Sequence, residues 1–337
     1  MEVTILLLNN NYASTALGPI EVFYAAGQLW NTLQMIEPHP CFRVTVASID
    51  GKSVMSPYGV GLSPQAAMRD VKHTDLIIVP ASGLELDAEL NRHADLLPWL
   101  REWHAKGCYI AGICSGAAYL AEAGLLDGRQ ATTHWALAAM YEQRYPQVTW
   151  RTDLFITEDR RVLCCGGVYG AIDLSLYLVE KFFGHELAVQ CAKALLVNMP
   201  RMHQSGYAVL PVGRPHADEA MRVAEAYIMQ HFASDLSIEA LAKRACMSPR
   251  TFMRRFKAAT GRAWGNYVQT LRITIAKELL EDGGHSVQAV SSAVGYDDIG
   301  FFRTLFKRLT GMPPGEYRAQ FARKPEFHTS HAAAPLD

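Results

Sequence analysis

Two side chains with catalytic potential lie twenty positions apart in the segment GICSGAAYLAEAGLLDGRQATTHW, residues 112–135. Cys114 ends an apolar run that is typical of a buried strand, and His134 lies near the end of the segment. A strand that leads directly into a helix through GICSG places its middle residue on a sharp turn, where the helix N-terminus favours a thiolate. Buried structural cysteines also occur in such a pattern. The segment therefore predicts either a Cys/His hydrolytic site or a pocket of that shape with another use.

Short apolar runs separated by helical patterns surround this segment. Continuous apolar strands with helices between them are typical of a parallel sheet that is covered on both faces. The predicted strands are Val3–Leu8, Phe42–Ile49, Asp75–Ala81, Cys108–Cys114 and Arg161–Gly167, and the predicted helices include Ile20–Leu33, Leu90–Lys106, Ser115–Ala123, Gly170–Phe183 and Glu186–Val197. Residues 1–198 are therefore expected to form an α/β three-layer sandwich with a parallel sheet.

The strand signals stop in the last third of the chain. Residues 199–217 contain prolines and glycines without an apolar period, which predicts a linker. Residues 218–325 show helical periods with serine caps and terminal glycines, which predicts an all-α domain, and 326–337 are expected to be a disordered tail. The predicted helices are Glu219–Phe232, Ile238–Ala245, Pro249–Thr260, Trp264–Glu281, Val287–Val294, Ile299–Thr310 and Pro314–Phe321.

Composition and charge restrict the class of protein. The chain has 337 residues, 50% hydrophobic and 19% charged, as expected for two globular domains. The apolar run near the start is too short for a signal peptide or a membrane span, so we expect a cytoplasmic protein. Seven irregularly spaced cysteines predict no disulfide framework, and we expect no metal ion and no cofactor. Residues 218–325 hold 16 Lys and Arg against 11 Asp and Glu, which weakly indicates a polyanion partner.

The all-α part contains an internal repeat. Leu236–Gly261 and His285–Gly311 each combine a small helix, a tight turn, a second helix and a final Thr-Gly. This is the length and pattern of a helix-turn-helix, whose second helix enters the major groove of DNA. Two such copies could address successive grooves on one face of DNA. Four phenylalanines at helical spacing are expected to be core residues, namely Phe252, Phe256, Phe302 and Phe306.

From Asp235 to Arg318 the chain resembles the DNA-binding domain of the AraC family of bacterial transcription regulators. The matching residues are LA at 241–242, MSPRTFMRRFK at 247–257, Gly261, LRITIAKELL at 271–280 and VGYDDIGFFRTLFKRLTGMPPGEYR at 294–318. The resemblance implies two helix-turn-helix motifs bridged by a long helix, with double-stranded promoter DNA as partner.

The resemblance also assigns residues to the DNA interface. Arg250 and Arg254 share one helical face, and whether they read guanine or only contact phosphate stays open. Thr304 stands where the family often has an arginine, and Gly300 offers no side chain, so the second motif is expected to position the protein more than it specifies sequence. The assigned residues are Pro249, Arg250, Thr251, Met253, Arg254 and Arg255 in the first recognition helix, with Arg255 expected at phosphate or at the surface, and Ile299, Gly300, Arg303, Thr304 and Lys307 in the second.

The first half resembles the DJ-1/PfpI superfamily, which is related to class I glutamine amidotransferases, and especially its branch fused to AraC-type domains. The match includes the segment around Cys114, GPIEVF at 18–23 and CGGVYGAIDLSLYLVEKFFG at 165–184. In enzymatic members the cysteine works with a histidine and with an acidic residue three positions before the Gly-Pro pair. Here that position is Thr15, which has no charge, so the resemblance implies an incomplete catalytic set. Glu21, beyond the pair, is not assumed to replace it.

The resemblance therefore implies a sensing pocket rather than an enzyme. The loop VPASGLE at 79–85 takes the position where amidotransferases offer backbone N–H groups as an oxyanion hole. Asp173 is expected to be a helix cap or a packed polar group rather than the residue that orients His134. The candidate ligand-binding residues are Thr15, Glu21, Ser82, Gly83, Cys114, Ser115, His134, Trp135 and Tyr169, and Tyr12 is a further candidate for an aromatic wall.

These observations predict a sequence-specific DNA-binding transcription regulator, and the resemblance to the AraC family implies that it activates its targets. Related fused regulators often sense amino acids or quaternary amines, so a small metabolite of that kind is the expected effector. RNA polymerase and a second copy of the chain are the expected protein partners. Two alternatives stay open: a Cys-dependent hydrolase or amidase of the DJ-1/PfpI superfamily, and a redox sensor that acts through oxidation of Cys114.

Overall fold

The computed structural model describes residues 1–208, 212–213 and 216–323. The chain divides into two compact units, Met1–Ser205 and Gly206–Asp337. The division falls within residues 199–217, the segment that is predicted to be a linker. The predicted disordered tail, 326–337, lies outside the described residues. Over the described ranges, no helix has both the length and the hydrophobicity that crossing a membrane requires.

The first unit alternates strands and helices. Its strands are β1 (Glu2–Leu7), β2 (Arg43–Ser48), β3 (Val54–Met55), β4 (Gly61–Leu62), β5 (Ala66–Ala67), β6 (Leu76–Val79), β7 (Tyr109–Ile113), β8 (Gln130–Ala131), β9 (Thr149–Trp150), β10 (Ile156–Asp159) and β11 (Val162–Cys165). Its helices are α1 (Ser14–Ala25), α2 (Leu29–Leu33), α3 (Leu86–Arg92), α4 (Leu96–Ala105), α5 (Ala117–Glu122), α6 (Ala138–Arg144), α7 (Gly170–Phe183) and α8 (His185–Leu195).

The main sheet has seven strands in the order β10-β11-β7-β6-β1-β2-β5. Neighbouring strands are parallel, except that β10 runs antiparallel to β11. From β1 the chain first adds β2 on one side and later β6 on the other. The strand order therefore reverses between β1 and β6, and open α/β sheets bind ligands outside the carboxyl ends of the strands at such a switch point.

Helices cover both faces of this sheet. On one face, Leu100 of α4 and Leu120 of α5 pack in a core with Ile77 and Ile110. The alternating residues, such as Ile78, point to the other face and are also fully buried. Helix α1 packs against β1 and against α7. The expected α/β sandwich with a parallel sheet is confirmed.

Two of the predicted helices are interrupted. The single helix predicted over Leu90–Lys106 is two helices, α3 and α4. The helix predicted over Ile20–Leu33 is also two helices, because α1 runs from Ser14 to Ala25 and α2 from Leu29 to the predicted end at Leu33. Gly27 causes the second break: its φ is +74°, and a Cβ there would lie 2.1 Å from the carbonyl oxygen of His39. Only glycine fits where the chain turns this closely.

The second unit is all-α in its described residues, as predicted. Its helices are α9 (Glu219–His231), α10 (Ile238–Arg244), α11 (Pro249–Thr260), α12 (Trp264–Asp282), α13 (Val287–Ala293), α14 (Ile299–Thr310) and α15 (Pro314–Phe321). Ser237, Ser248 and Ser286 each accept a hydrogen bond from a backbone N–H in the first turn of the helix that follows. These caps fix where the helices of both helix-turn-helix motifs begin.

Each helix-turn-helix has its own core. One core contains Phe252 and Phe256, the other contains Phe302 and Phe306, and all four rings are fully buried as expected. The long helix α12 contributes Leu271 to the first core and Leu280 to the second. Helix α12 therefore bridges the two motifs.

Candidate functional site

The turn after β7 has the geometry of a nucleophile elbow. Cys114 has a φ of +54°, a left-handed conformation that a side chain seldom adopts and that costs roughly 1–2 kcal/mol. Gly116 makes room for the turn, since a Cβ there would lie 2.7 Å from the carbonyl oxygens of Val79 and Pro80. Thr133 and Tyr141 donate hydrogen bonds to the carbonyl oxygens of Cys114 and Ser115, at 2.9 and 3.1 Å. The elbow is thus held rigidly at the carboxyl edge of the sheet.

The Cys114 thiol is buried rather than activated. Its residue is only 6% exposed, and burial raises the pKa of the thiol to about 11, although backbone groups of Ser115 and Gly167 partly oppose that rise. Burial therefore opposes the thiolate that the helix N-terminus was expected to favour. Cys114 is a protonated thiol at neutral pH.

His134 does not pair with Cys114. Its Nδ1 accepts a hydrogen bond from the backbone N–H of Ala136 at 3.1 Å, and its ring lies 5.3 Å from that of Trp135. Burial lowers the pKa of His134, so the imidazole is neutral near pH 7. Within the described residues, no hydrogen bond joins the two side chains that could form a catalytic pair.

Thr15 joins two loops at the switch point. It is fully buried, its hydroxyl donates to the carbonyl oxygen of Tyr12 at 2.6 Å, and it accepts from the backbone N–H of Ala81 at 3.2 Å. The loop after β1 is therefore tied to the loop after β6 by an uncharged group. Glu21 lies on the exposed side of α1.

Some of the other predicted pocket residues form hydrogen bonds with one another. Ser115 donates from Oγ to the carbonyl oxygen of Ser82 at 2.8 Å, and Ser82 Oγ lies 2.7 Å from Tyr119 Oη. Trp135 is half-buried at the start of a 3₁₀ turn. Tyr169 is 68% exposed at the start of α7. The structure thus brings Ser82 and Ser115 together at the elbow, while Tyr169 is largely in solvent.

Asp173 is held by an arginine. Arg201 donates its backbone N–H to Asp173 Oδ1 at 2.7 Å and its Nη2 to Oδ2 at 2.6 Å. Asp173 is therefore a packed polar group, in agreement with the sequence-based expectation.

Sequence reasoning missed Gln204, which lies in the segment predicted to be a linker. Its Nε2 donates to Thr132 Oγ1 and to the carbonyl oxygens of Thr133 and Leu154, at 2.8–3.0 Å, and its Oε1 accepts from the N–H of Trp135 at 3.2 Å. Gln204 is buried against Gly166, where a Cβ would clash with its side chain. One glutamine therefore fixes the backbone on both sides of His134.

A buried polar cluster beside Gly83 was also missed. Glu89 Oε1 accepts from Asn10 Nδ2 at 2.9 Å and from Arg92 Nη1 at 2.5 Å, and the Glu89 side chain covers the Cα of Gly83. His93 Nδ1 lies 2.9 Å from Tyr119 Oη. Among the described residues, Glu89 Oε2 and His93 Nε2 have no hydrogen-bond partner. The sequence pattern predicts a helix that begins at Leu90, so Glu89 was not recognised as a helix residue.

The first recognition helix, α11, presents most of its assigned residues to solvent. Pro249, Arg250, Met253 and Arg254 are exposed, and over the described residues neither Arg250 nor Arg254 forms an ion pair. Arg255 differs, because Asp218 binds its guanidinium through Nε at 2.6 Å and Nη2 at 2.9 Å. The Thr251 hydroxyl accepts from Ser248 Oγ at 2.9 Å. Arg255 thus links α11 to the start of α9 instead of standing free at the surface.

The second recognition helix, α14, carries fewer charged groups at the equivalent places. Gly300, Arg303, Thr304 and Lys307 are exposed, and Ile299 is half-buried. The Thr304 hydroxyl donates to the carbonyl oxygen of Gly300 at 3.0 Å, within the helix itself. The two recognition helices therefore present chemically different surfaces.

Comparison with known proteins agrees with both units. Residues 12–181 match the DJ-1/PfpI family, and residues 241–320 match a helix-turn-helix domain. The chain is 30% identical over 280 residues, or 82% of each chain, to the HTH-type transcriptional regulator CdhR of Pseudomonas aeruginosa. The chain belongs to the AraC family of transcriptional regulators that carry a DJ-1/PfpI domain.

Two further relatives show how far this similarity extends. The HTH-type transcriptional regulator GbdR of Pseudomonas aeruginosa is 25% identical over 318 residues, which cover 93% of this chain and 83% of that one. Drosophila melanogaster DJ-1beta superposes with a TM-score of 0.50 at 21% identity, covering 58% of this AraC-family chain and 98% of that chain. The second similarity concerns the fold alone. As a member of this family, the chain is a DNA-binding transcriptional regulator.

Proposed function

We propose that the first unit senses a small-molecule effector and that effector binding controls how the second unit holds promoter DNA. The observation that carries this proposal is the position of the elbow. Asn10, Ser82 and Cys114 follow β1, β6 and β7, three neighbouring strands at the switch point, where open α/β sheets bind their ligands. An effector acts there if it binds one arrangement of the regulator more tightly than the other.

The state of Cys114 supports a regulator over a hydrolase. A nucleophile needs a lowered pKa or an adjacent base, whereas burial raises the pKa of this thiol and Thr15 supplies no charge. We expect Cys114→Ala to respond to the effector, with at most a shift in its affinity. Complete loss of the response at unchanged effector affinity would instead indicate covalent chemistry.

Glu89 supports an effector with a positively charged nitrogen, such as an amino acid or a quaternary amine. It is one of two buried carboxylates in the first unit's described residues: Arg201 binds both oxygens of the other, Asp173, whereas Arg92 binds Oε1 of Glu89 alone. Glu89 Oε2 is buried beside Gly83, at the switch point, without a hydrogen-bond partner and 3.7 Å from His93 Nδ1. A cation that entered this site would gain a desolvated carboxylate as its partner.

A thermal-shift screen of the full chain with amino acids, quaternary amines and polyamines tests this proposal. A compound at 100 times its Kd stabilises the folded protein by about 2.7 kcal/mol, which raises Tm measurably. Glu89→Gln should abolish the shift caused by a cationic compound, because the amide keeps the shape but loses the charge. Glu85→Gln is the matched control, since Glu85 is exposed one turn earlier, at the start of the same helix. If Glu89→Gln keeps the full shift, Glu89 does not recognise the effector.

We further propose that the regulator binds DNA as a homodimer and activates transcription through RNA polymerase. The two helix-turn-helix motifs of one chain support a long DNA site, and paired sites favour dimers. Sedimentation of the full chain with and without a DNA duplex tests the dimer. Transcription from a target promoter with purified polymerase tests activation, and unchanged transcript levels at saturating protein would contradict it.

A further inference from the structure

An aromatic ring is exposed at the start of the second recognition helix. Phe301 is the third residue of α14 and is 49% exposed, whereas Phe302 and Phe306 of the same helix are fully buried in the core. The N-terminal residues of a recognition helix are the ones that contact base edges in the major groove. Phe301 therefore presents apolar surface at the place where this helix meets DNA.

The ring is held in place by the turn before α14. The centroid of the Phe301 ring lies 5.6 Å from that of Tyr296. The Arg272 guanidinium lies over the Tyr296 ring, 5.0 Å from its centroid. Arg272 itself donates to the carbonyl oxygens of Phe232 and Gly295, at 2.7 and 2.9 Å. This support orders Phe301 before DNA arrives, so little conformational entropy is lost when it makes a contact.

Gly300 and Thr304, the neighbours of Phe301 on this face of α14, are uncharged, while Asp298 Oδ1 accepts from the backbone N–H of Phe301 at 3.1 Å. Gly300 has no side chain, and the Thr304 hydroxyl already donates to the carbonyl oxygen of Gly300. The methyl group is therefore the part of the Thr304 side chain that is available to contact DNA. In the first recognition helix the positions equivalent to Gly300 and Thr304 carry Arg250 and Arg254. At these two positions the first motif thus offers hydrogen-bond donors to bases, and the second offers an apolar surface.

We propose that Phe301, together with the Thr304 methyl group, recognises the 5-methyl group of a thymine in the major groove. Thymine is the one base that displays a methyl group there, and phenylalanine and threonine methyl groups are known types of partner for it. The second motif then specifies an A·T pair by apolar contact and not only positions the protein on the backbone.

The test replaces thymine by deoxyuridine, which pairs identically but lacks the methyl group. Duplexes of about 30 base pairs, long enough for two motifs one helical turn apart, are selected from a random pool with the full chain. Each thymine of a selected duplex is then replaced in turn, and Kd is measured by fluorescence anisotropy at constant salt. One replacement should weaken binding about fourfold, the equivalent of ~0.8 kcal/mol for one buried methyl group.

Phe301→Ala decides whether that ring is the reader. This variant should bind the thymine duplex about as weakly as the wild type binds the deoxyuridine duplex, and its Kd should not change on replacement of that thymine. Met229→Ala is the matched control, because Met229 is also 49% exposed but lies on α9, outside both recognition helices. It should keep both the affinity and the fourfold effect. Phe301→Leu, which retains an apolar side chain, should keep part of the methyl dependence and replaces Phe301→Ala if the alanine variant does not fold.

Two results overturn the proposal. One is a selected duplex in which no thymine replacement alters Kd. The other is a folded Phe301→Ala variant, judged by circular dichroism, that remains as sensitive to the missing methyl group as the wild type.

Discussion

Single residues at the elbow show how an enzyme-like geometry exists without enzyme-like chemistry. Cys114 keeps the left-handed turn of a nucleophile, but its thiol is buried and His134 Nδ1 is bonded to a backbone N–H. Sequence spacing predicted the turn correctly because the glycines around Cys114 are required by crowding. It could not predict the protonation of the thiol, since burial depends on side chains from distant parts of the chain.

The raised pKa of Cys114 predicts slow alkylation at neutral pH. Since only the thiolate reacts, the rate with iodoacetamide should increase about tenfold per pH unit below the pKa of about 11, at which half of the thiol is ionised. Mass spectrometry of timed digests measures the modification at each cysteine. Cys246 is an internal control, because it is exposed and should react early. Rapid alkylation of Cys114 at pH 7 would contradict a buried, protonated thiol.

Arg250 and Arg254 should carry much of the DNA affinity of the first motif. Their replacement by alanine, singly and together, is expected to abolish or strongly weaken promoter protection, while the first unit stays folded. Measuring Kd against salt and against altered bases separates their roles. Loss of a phosphate contact reduces the salt slope by about 1, whereas loss of a base contact costs about 1–3 kcal/mol and relaxes specificity at one position. Full promoter protection by the double variant would contradict this interface.

At the scale of helices and strands, the sequence was most informative where burial is continuous. The five predicted strands are present within one or two residues, and β6, which is apolar throughout, is buried along its whole length. The two-residue strands, such as β3 and β8, are too short to leave a pattern. The break between α3 and α4 was missed although Pro98 stands in the first turn of α4, where a proline is typical of a helix start, and Glu89 was missed with it.

The cap of helix α9 is an element that can be tested directly. Asp218 accepts from the N–H of Met221 and binds Arg255, so Asp218→Ala should destabilise the second unit by about 1 kcal/mol from cap loss alone. The bond to Arg255 lowers the pKa of Asp218, so this contribution is present above the unfolded-state pKa near 4 and is lost as pH falls. Urea unfolding at pH 7 and at pH 3 measures both effects. Asp235→Ala is the exposed control, and equal effects of the two variants at pH 7 would contradict the role of the cap.

At the scale of the whole molecule, a sensing unit and a DNA-binding unit on one chain must obey reciprocal linkage. If the effector changes the affinity for a DNA duplex by a given factor, the duplex must change the affinity for the effector by the same factor. Anisotropy measures the first factor and calorimetry the second, once the thermal-shift screen has supplied an effector. A bound effector with no influence on DNA affinity would show that the first unit does not regulate the second.

The hydrogen bonds of Gln204 have a consequence for exchanging parts between regulators. Gln204 satisfies hydrogen-bond acceptors of Thr132 and Thr133. The junction of a hybrid protein should therefore lie after Ser205, where the two units divide, and not at residue 198, where the apolar pattern ends. A hybrid joined at residue 198 would lose Gln204 and its hydrogen bonds, and a residue from the other regulator would pack against Gly166 in its place. A working hybrid of such regulators should therefore keep Gln204 in the same segment as the first unit.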